Sequence, residues 1–223
     1  MNKYEIVQKI EDFAPLETQE KWDASGWIVE RKGKEIQKIM FALTVTDDVV
    51  QQARQEGCDM IISHHPLFVV PLKYSDINIY CAHTNLDRAE GGTTDTLIQR
   101  LGLEKSENLD FVRIVELKTP ITTEDLRQKL LKISPHLRYV NNFGMDKISS
   151  IAFCAGSGAE FINEVKTDAF VTGDLKFHTA LDADKVVFDI GHFESEIFAP
   201  QILKNITGVE EKGVIANEKS PFI

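Results

Sequence analysis

Apolar positions along this chain recur at two spacings, and the spacing changes where elements change. Tyr4, Val7, Ile10 and Phe13 fall on one face of a helix over Lys3 to Phe13, which Pro15 closes. The stretch from Trp22 to Trp27 reads as a turn into an extended segment. Ile36 to Val45 is a strand whose middle is so apolar that both faces are expected to be buried. Thr46 has the chemistry of an N-cap, with Asp47 and Asp48 favourable in the first turn of a helix that ends at Gly57. Asp59 to Ile62 is a further strand, and Ile77 to Ala82 another. After the Gly91-Gly92 turn a helix runs from Thr94 to Leu101. Phe111 to Leu117 is strand-like, Thr122 or Thr123 caps a helix to about Lys132, and Arg138 to Asn141 forms a short strand.

Beyond Gly144 the rhythm restarts. Strands are expected at Ile148 to Ala155, Ala169 to Thr172, Val186 to Ile190 and Gly213 to Ala216. Helices are expected around Phe161 to Val165, from Gly173-Asp174 to Asp182, and from Phe193 to Leu203. Strands that alternate with helices and are almost wholly apolar imply an α/β fold with parallel or mixed sheets covered on both faces. The pattern divides the chain into an N-terminal block at 1–108, a more polar bridge at 109–144, and a C-terminal block at 145–223.

Chemistry collects at the carboxyl ends of these strands, where ligands bind in α/β sheets. Ser63-His64-His65-Pro66 closes one apolar run, and the two imidazoles read either as turn histidines or as metal ligands. Asp87, His192 and Glu196 stand at other strand ends, and their company favours the ligand reading. His192 and Glu196, four apart, share a face if the segment is helical. Adjacent side chains on an extended backbone diverge, so His64 and His65 suit two ions roughly 3.5–4 Å apart better than one. Three neutral imidazoles and two carboxylates around two divalent ions leave a net positive site that favours an anionic substrate. A donor set of nitrogen and oxygen without thiolate suits zinc, iron, manganese or nickel.

Other residues admit two readings each. His83 is a group orienting a ligand or a hydrogen-bonded strand-end histidine, and His178 a proton donor or a surface histidine. Asp174 is an N-cap or a functional acid. Gly156-Ser157-Gly158 is a tight turn or a loop offering backbone N–H groups to a phosphate. No Gly-x-Ser-x-Gly elbow surrounds Thr44 or Ser63, which excludes a serine-hydrolase reading.

The bulk properties narrow the class. The chain has 223 residues, 43% of them hydrophobic and 27% charged, as in a globular protein able to bury a core. A net charge of −10 opposes non-specific nucleic-acid binding. No apolar run approaches the length of a membrane span. The first residues are too polar for a signal peptide. Cys58, Cys81 and Cys154, odd in number and far apart, read as reduced, buried thiols, and the expected location is cytoplasmic.

In order along the chain, Trp22-Asp23, Ser63-His64-His65-Pro66-Leu67, Ala82-His83-Thr84-Asn85-Leu86-Asp87, Ala155-Gly156-Ser157-Gly158, Thr172-Gly173-Asp174-Leu175-Lys176 with His178, and Gly191-His192 with Ser195-Glu196 resemble the motifs of the Nif-three-like family, also called GTP cyclohydrolase type-2 homologues. The resemblance implies two related α/β lobes with mixed sheets covered by helices and a dinuclear metal site in the cleft between them. It also implies a ring-shaped homohexamer. On matching positions it makes His64, His65, Asp87, His192 and Glu196 the ligands. This chain departs from the family at Ala42-Leu43-Thr44, where members commonly have Ala-Leu-Asp, and between Phe68 and Ile77, where there is no room for the usual helix before the strand. The expected activity is metal-dependent hydrolysis of a nucleotide or small phosphorylated molecule, with His178 or His83 moving protons. The alternative is a non-catalytic metal carrier or regulatory scaffold.

Overall fold

The computed structural model describes residues 1–222. The chain first forms α1 (Lys3–Phe13), β1 (Gly26–Val29), β2 (Ile39–Ala42), α2 (Asp47–Gln55), β3 (Met60–Ser63), β4 (Asn78–Cys81) and α3 (Thr84–Arg88). It continues with α4 (Thr93–Arg100), β5 (Glu107–Leu109), β6 (Val112–Thr122), α5 (Thr123–Leu130), β7 (Arg138–Val140), β8 (Lys147–Phe153), β9 (Ala169–Thr172), α6 (Phe177–Leu181), β10 (Val186–Asp189) and α7 (His192–Glu196). It ends with α8 (Ala199–Thr207) and β11 (Gly213–Ile215). Residues 1–92 and the chain from Phe198 onward make one compact unit, and Thr93–Ile197 a second.

This division differs from the one expected at 1–108, 109–144 and 145–223. The last strand, β11, pairs in parallel with β2, which returns the C-terminal segment to the first unit. The more polar stretch at 109–144 carries β6, which pairs antiparallel with β8 inside the second sheet.

The first unit holds a sheet ordered β1-β4-β3-β2-β11, parallel except for the antiparallel edge strand β1. Strands β2, β3 and β4 are buried along their whole length, as their unbroken apolar runs require. Helix α2 begins where the sequence places it, with the Thr46 hydroxyl accepting from the Val49 N–H, and it lays Val49, Val50 and Ala53 into the core. Between Phe68 and β4 the chain makes only a 3-10 turn at Leu72–Tyr74, fastened when the Tyr74 hydroxyl donates to Asp47.

The second unit holds a sheet ordered β5-β6-β8-β9-β10-β7, in which β8, β9 and β10 run parallel and the remaining pairings are antiparallel. Thr122 and Asp125 cap α5 reciprocally. The fully buried Arg113 is balanced by Asp95, which also pairs with Lys105.

Three local expectations are corrected. Phe193 to Leu203 is not one helix: α7 stops at Glu196 and α8 starts at Ala199, because Pro200 fits the first turn of a helix and not the interior of one. The segment after Gly158 is a 3-10 helix, Ala159–Glu164. Asp174 is not an N-cap: it has a positive φ of 54°, and α6 begins after Lys176.

Candidate metal centre

In the first unit the carboxyl ends of three neighbouring parallel strands supply the polar groups. His64 and His65 follow β3, His83 and Asp87 follow β4, and Thr44 follows β2. The chain bends directly after Ser63 instead of staying extended. The bend is fixed by the next strand, because the His64 N–H donates to Ala42 O at 3.1 Å and the His65 N–H to Leu43 O at 2.8 Å. The rings of His64 and His65 therefore converge, with centroids 5.1 Å apart, and His83 stands 5.2 Å from His64. Ligand-capable nitrogens of His64, His65 and His83 lie within 4.8 Å of one another. His83, expected as an orienting group, thus stands among the donors themselves. Asp87, on the short helix α3, brings Oδ1 to 3.4 Å from His64 Nε2.

Each of these imidazoles is held from behind through Nδ1. The partner is Ala82 O for His64 at 2.9 Å, Thr44 Oγ1 for His65 at 2.7 Å, and Asp23 Oδ1 for His83 at 2.9 Å. The Asp23 side chain is buried, and burial opposes its charge. Hydrogen bonds from His83, Thr84 and the Ala24 N–H outweigh that and hold its carboxyl well below the usual carboxylate range. It is therefore an anion that fixes the His83 ring, and Trp22 covers the edge of that ring at 5.9 Å.

The second unit repeats the arrangement at the ends of β8, β9 and β10. Gly156 follows β8, Asp174 follows β9, and His192 opens α7 after β10. One turn of α7 places His192 Nε2 3.0 Å from Glu196 Oε2, on the shared face expected from the spacing. Behind the ring, Nδ1 meets Asp174 Oδ2 at 2.6 Å. Burial works against the charged form of His192, yet the Glu196 and Asp174 carboxylates prevail and push its pKa up to about 10. Without a metal the ring is an imidazolium clasped by two acids, so a metal ion ligated there displaces a proton.

Gly156 explains why the turn is glycine-rich. Its φ is +67°, and a Cβ there would collide with the Glu196 carboxylate. The Gly156 N–H donates to Ser195 Oγ and the Gly158 N–H to Thr172 Oγ1, each at 2.9 Å. Two of the three amides expected to cradle a phosphate, those of Gly156 and Gly158, are thus bonded within the protein, while Ser157 is exposed. His178 lies exposed on α6, beside Phe177, outside the donor groups.

Imidazole nitrogen and carboxylate oxygen, with Nδ1 occupied and Nε2 facing a carboxylate in His64 and His192, form a donor set that suits borderline divalent metals. The three cysteines are buried free thiols. Sequence reasoning passed over Asp23, Thr44 and Asp174 as anchors, because an anchor is defined by which ring nitrogen it faces and has no spacing of its own.

The sequence profile of the family described as Duf34/NIF3 (NGG1p interacting factor 3) matches residues 1–218. A Clostridium perfringens protein named GTP cyclohydrolase 1 type 2 homolog is 33% identical, over 95% of this chain and 92% of its own length. Reduced HcgD from Methanocaldococcus jannaschii has a similar structure, with a TM-score of 0.81 and 28% identity, covering 96% of each chain. A Bacillus cereus protein related to NIF3 superposes with a TM-score of 0.85 at 21% identity, over 100% of this chain and 99% of that one, and shows the shared fold.

Proposed function

The chain belongs to the Duf34/NIF3 family, and from that premise we propose that it binds two divalent metal ions and uses them to hydrolyse a nucleotide or another small phosphorylated molecule. In this reading the ions are held by His64, His65 and Asp87 of the first unit and His192 and Glu196 of the second. The metal is zinc, iron, manganese or nickel. The observation that carries the proposal is the preorganisation of the imidazoles. Each is oriented by a bond at Nδ1, which directs Nε2 outward as in histidine metal sites with an outer supporting shell. Such ions supply Lewis acidity, polarising a substrate oxygen and acidifying water. Around them, Asp23 and Asp174 keep His83 and His192 in register. His83 is the protein group best supported to hold or move a proton, because its ring is fixed among the donors. The name GTP cyclohydrolase 1 type 2 homolog, carried by the Clostridium perfringens relative, makes GTP the first substrate to test.

A second reading, a metal carrier or regulatory scaffold, draws on two observations. The Gly156 and Gly158 amides are engaged within the protein, and His178 stands apart from the donors. Assembly into a ring-shaped homohexamer belongs to the same proposal, and light scattering tests it. Among the described residues no helix is long and apolar enough to cross a membrane.

The deciding experiment is metal analysis of reconstituted protein, followed by a hydrolase screen that includes GTP, with His64→Ala and Glu196→Ala as controls. Two ions per chain and metal-dependent turnover that both controls abolish support the enzyme. Two ions with no turnover on any substrate favour the carrier. Far fewer than two ions would refute the dinuclear centre.

A further inference from the structure

The first sheet ends on β11, and among the described residues no further strand covers it. The other sheet edges each carry a feature that discourages pairing with a foreign strand. The β1 edge has a register shift between Trp27 and Val29, β5 carries the exposed Glu107, and β7 the exposed Arg138. The β11 edge is Gly-Val-Ile, with no charge and no proline.

Its register shows which backbone groups face outward. Gly213, Val214 and Ile215 lie opposite Ile39, Met40 and Phe41 in a parallel ladder, and the Ala216 N–H donates to Phe41 O at 2.8 Å. Alternate residues bond in such a ladder, so Val214 and Ala216 face β2. The Gly213 carbonyl and both the N–H and carbonyl of Ile215 therefore point away from the sheet. The Gly213 N–H turns back to Glu210 O. Asn217, the next outward residue, is already engaged, because its N–H donates to Gln52 Oε1 and its carbonyl accepts from Gln52 Nε2.

Beside these groups lies a cavity of about 510 Å³, lined by β11, by Gln52 and Glu56 of α2 and by Lys204 of α8. None of the candidate metal donors lines it. Side chains of a strand alternate between the two faces of its sheet. Val214 joins Met40 on the face packed under α2. Gly213 and Ile215 look to the other face, where Lys204 Cε stands 3.4 Å from the place of a Gly213 Cβ. The two walls differ in charge. Glu56 pairs with Lys38 at 2.6 Å, whereas Lys204 makes no ion pair among the described residues.

We propose that β11 is a docking edge for an extended peptide segment of a partner protein, which adds a sixth strand to this sheet with apolar side chains toward α2 and an acidic side chain toward Lys204. The outward donor and acceptors bond its backbone, and the two faces select its side chains. A second copy of β11 suits the edge less well, because a two-fold axis would set Lys204 against its own copy, like charge against like.

Fluorescence polarisation on the full chain, with the labelled peptide Thr-Val-Glu-Val-Thr-Val as probe, tests it. Saturable binding is expected. Two analogues, N-methylated at the odd or at the even residues, should differ, one binding and one not, because a single edge of the peptide meets β11. Ile215→Pro removes the outward N–H while leaving the β2 ladder its bonds, and should weaken binding at least about tenfold. Lys204→Glu should weaken it by about as much and should prefer the peptide in which lysine replaces glutamate. Melting curves show whether the variants fold, and the methylated analogues test the wild-type protein in either case. Absence of saturable binding, equal behaviour of the two analogues, or unchanged affinity in folded Ile215→Pro overturns the proposal. A fall in molar mass of Ile215→Pro in light scattering assigns the edge to a second copy and overturns it as well.

Discussion

Replacing Gly156 by alanine separates what the glycine-rich turn does for the fold from what it does for the site. The backbone there has a φ of +67°, which an L-residue adopts at a cost of roughly 1–2 kcal/mol. The new methyl group would also occupy the place of the Glu196 carboxylate, with Glu196 Cδ only 3.0 Å from it and His192 Nε2 at 3.6 Å. Overpacking a filled interior costs roughly 1–3 kcal/mol. Here the obstructing atom is the end of a side chain, so the carboxylate yields before the backbone does and the lower figure applies. The expected loss of stability is about 2–3 kcal/mol, a fall in melting temperature of roughly 5–10 °C for a chain of this size.

The larger effect is on the donors. Glu196 is 3% exposed, and its displacement breaks the 3.0 Å pairing with His192. Urea unfolding of chelator-treated protein measures the first effect, and metal content after reconstitution measures the second. The neighbouring Ser157→Ala, at an exposed position, serves as control and should change stability by less than about 0.5 kcal/mol. A Gly156→Ala protein that takes up the wild-type amount of metal refutes the packing argument, whatever its stability.

Other outcomes follow from the same geometry. Asp174→Asn removes the negative charge behind His192 while keeping an oxygen at the same place, so metal affinity should fall about tenfold or more in a binding titration, with stability little changed because Asp174 is half exposed. In metal-free protein His192 has a pKa raised from 6.5 to about 10, so its contribution to stability is complete below pH 6.5 and disappears as pH rises through about 10. The difference in melting temperature between wild type and His192→Gln should shrink over that interval, and a constant difference refutes the assignment. Metal uptake at pH 7.5 should release about one proton per His192 site, read by calorimetry in buffers of different ionisation enthalpy. Burial pushes the Cys58 thiol up to about 11 and raises Cys81 as well, so a thiol reagent should label native protein slowly and all three cysteines promptly after unfolding.

The parts of this fold that were legible in the chain are those where local pattern and tertiary demand coincide. The runs Ile39–Ala42, Met60–Ser63 and Val186–Asp189 are apolar because both of their faces are covered, and a continuous apolar run reports that directly. Thr46 and Thr122 announce helix starts because the cap is a local bond. Partnership over distance was not legible. Nothing in the residues around Gly213 says that β11 crosses back to pair with β2, and so the pattern alone divides the chain differently from the contacts. Phe193 to Leu203 is periodic throughout and so predicts a single helix, and only the place of Pro200 in a first turn marks the restart.

The candidate site divides in the same way. His64, His65, Asp87, His192 and Glu196 stood out because metal ligation draws on few residue types and strand ends are where they gather. Their supporting residues did not, since aspartate, threonine and glutamate are ordinary in loops and acquire a role only from the atom they face. Asp174 thus reads equally well as a helix cap from spacing alone, and only its carboxylate against His192 Nδ1 gives it a place in the site. Thr44 is the instructive case. The chain shows a hydroxyl where the resemblance expects a carboxylate, which on its own reads as a lost acid. In the structure the Thr44 hydroxyl stands 2.7 Å from His65 Nδ1, and Glu218 accepts the backbone N–H groups of Leu43 and Thr44, so the residue has a partner in the site that no spacing announces.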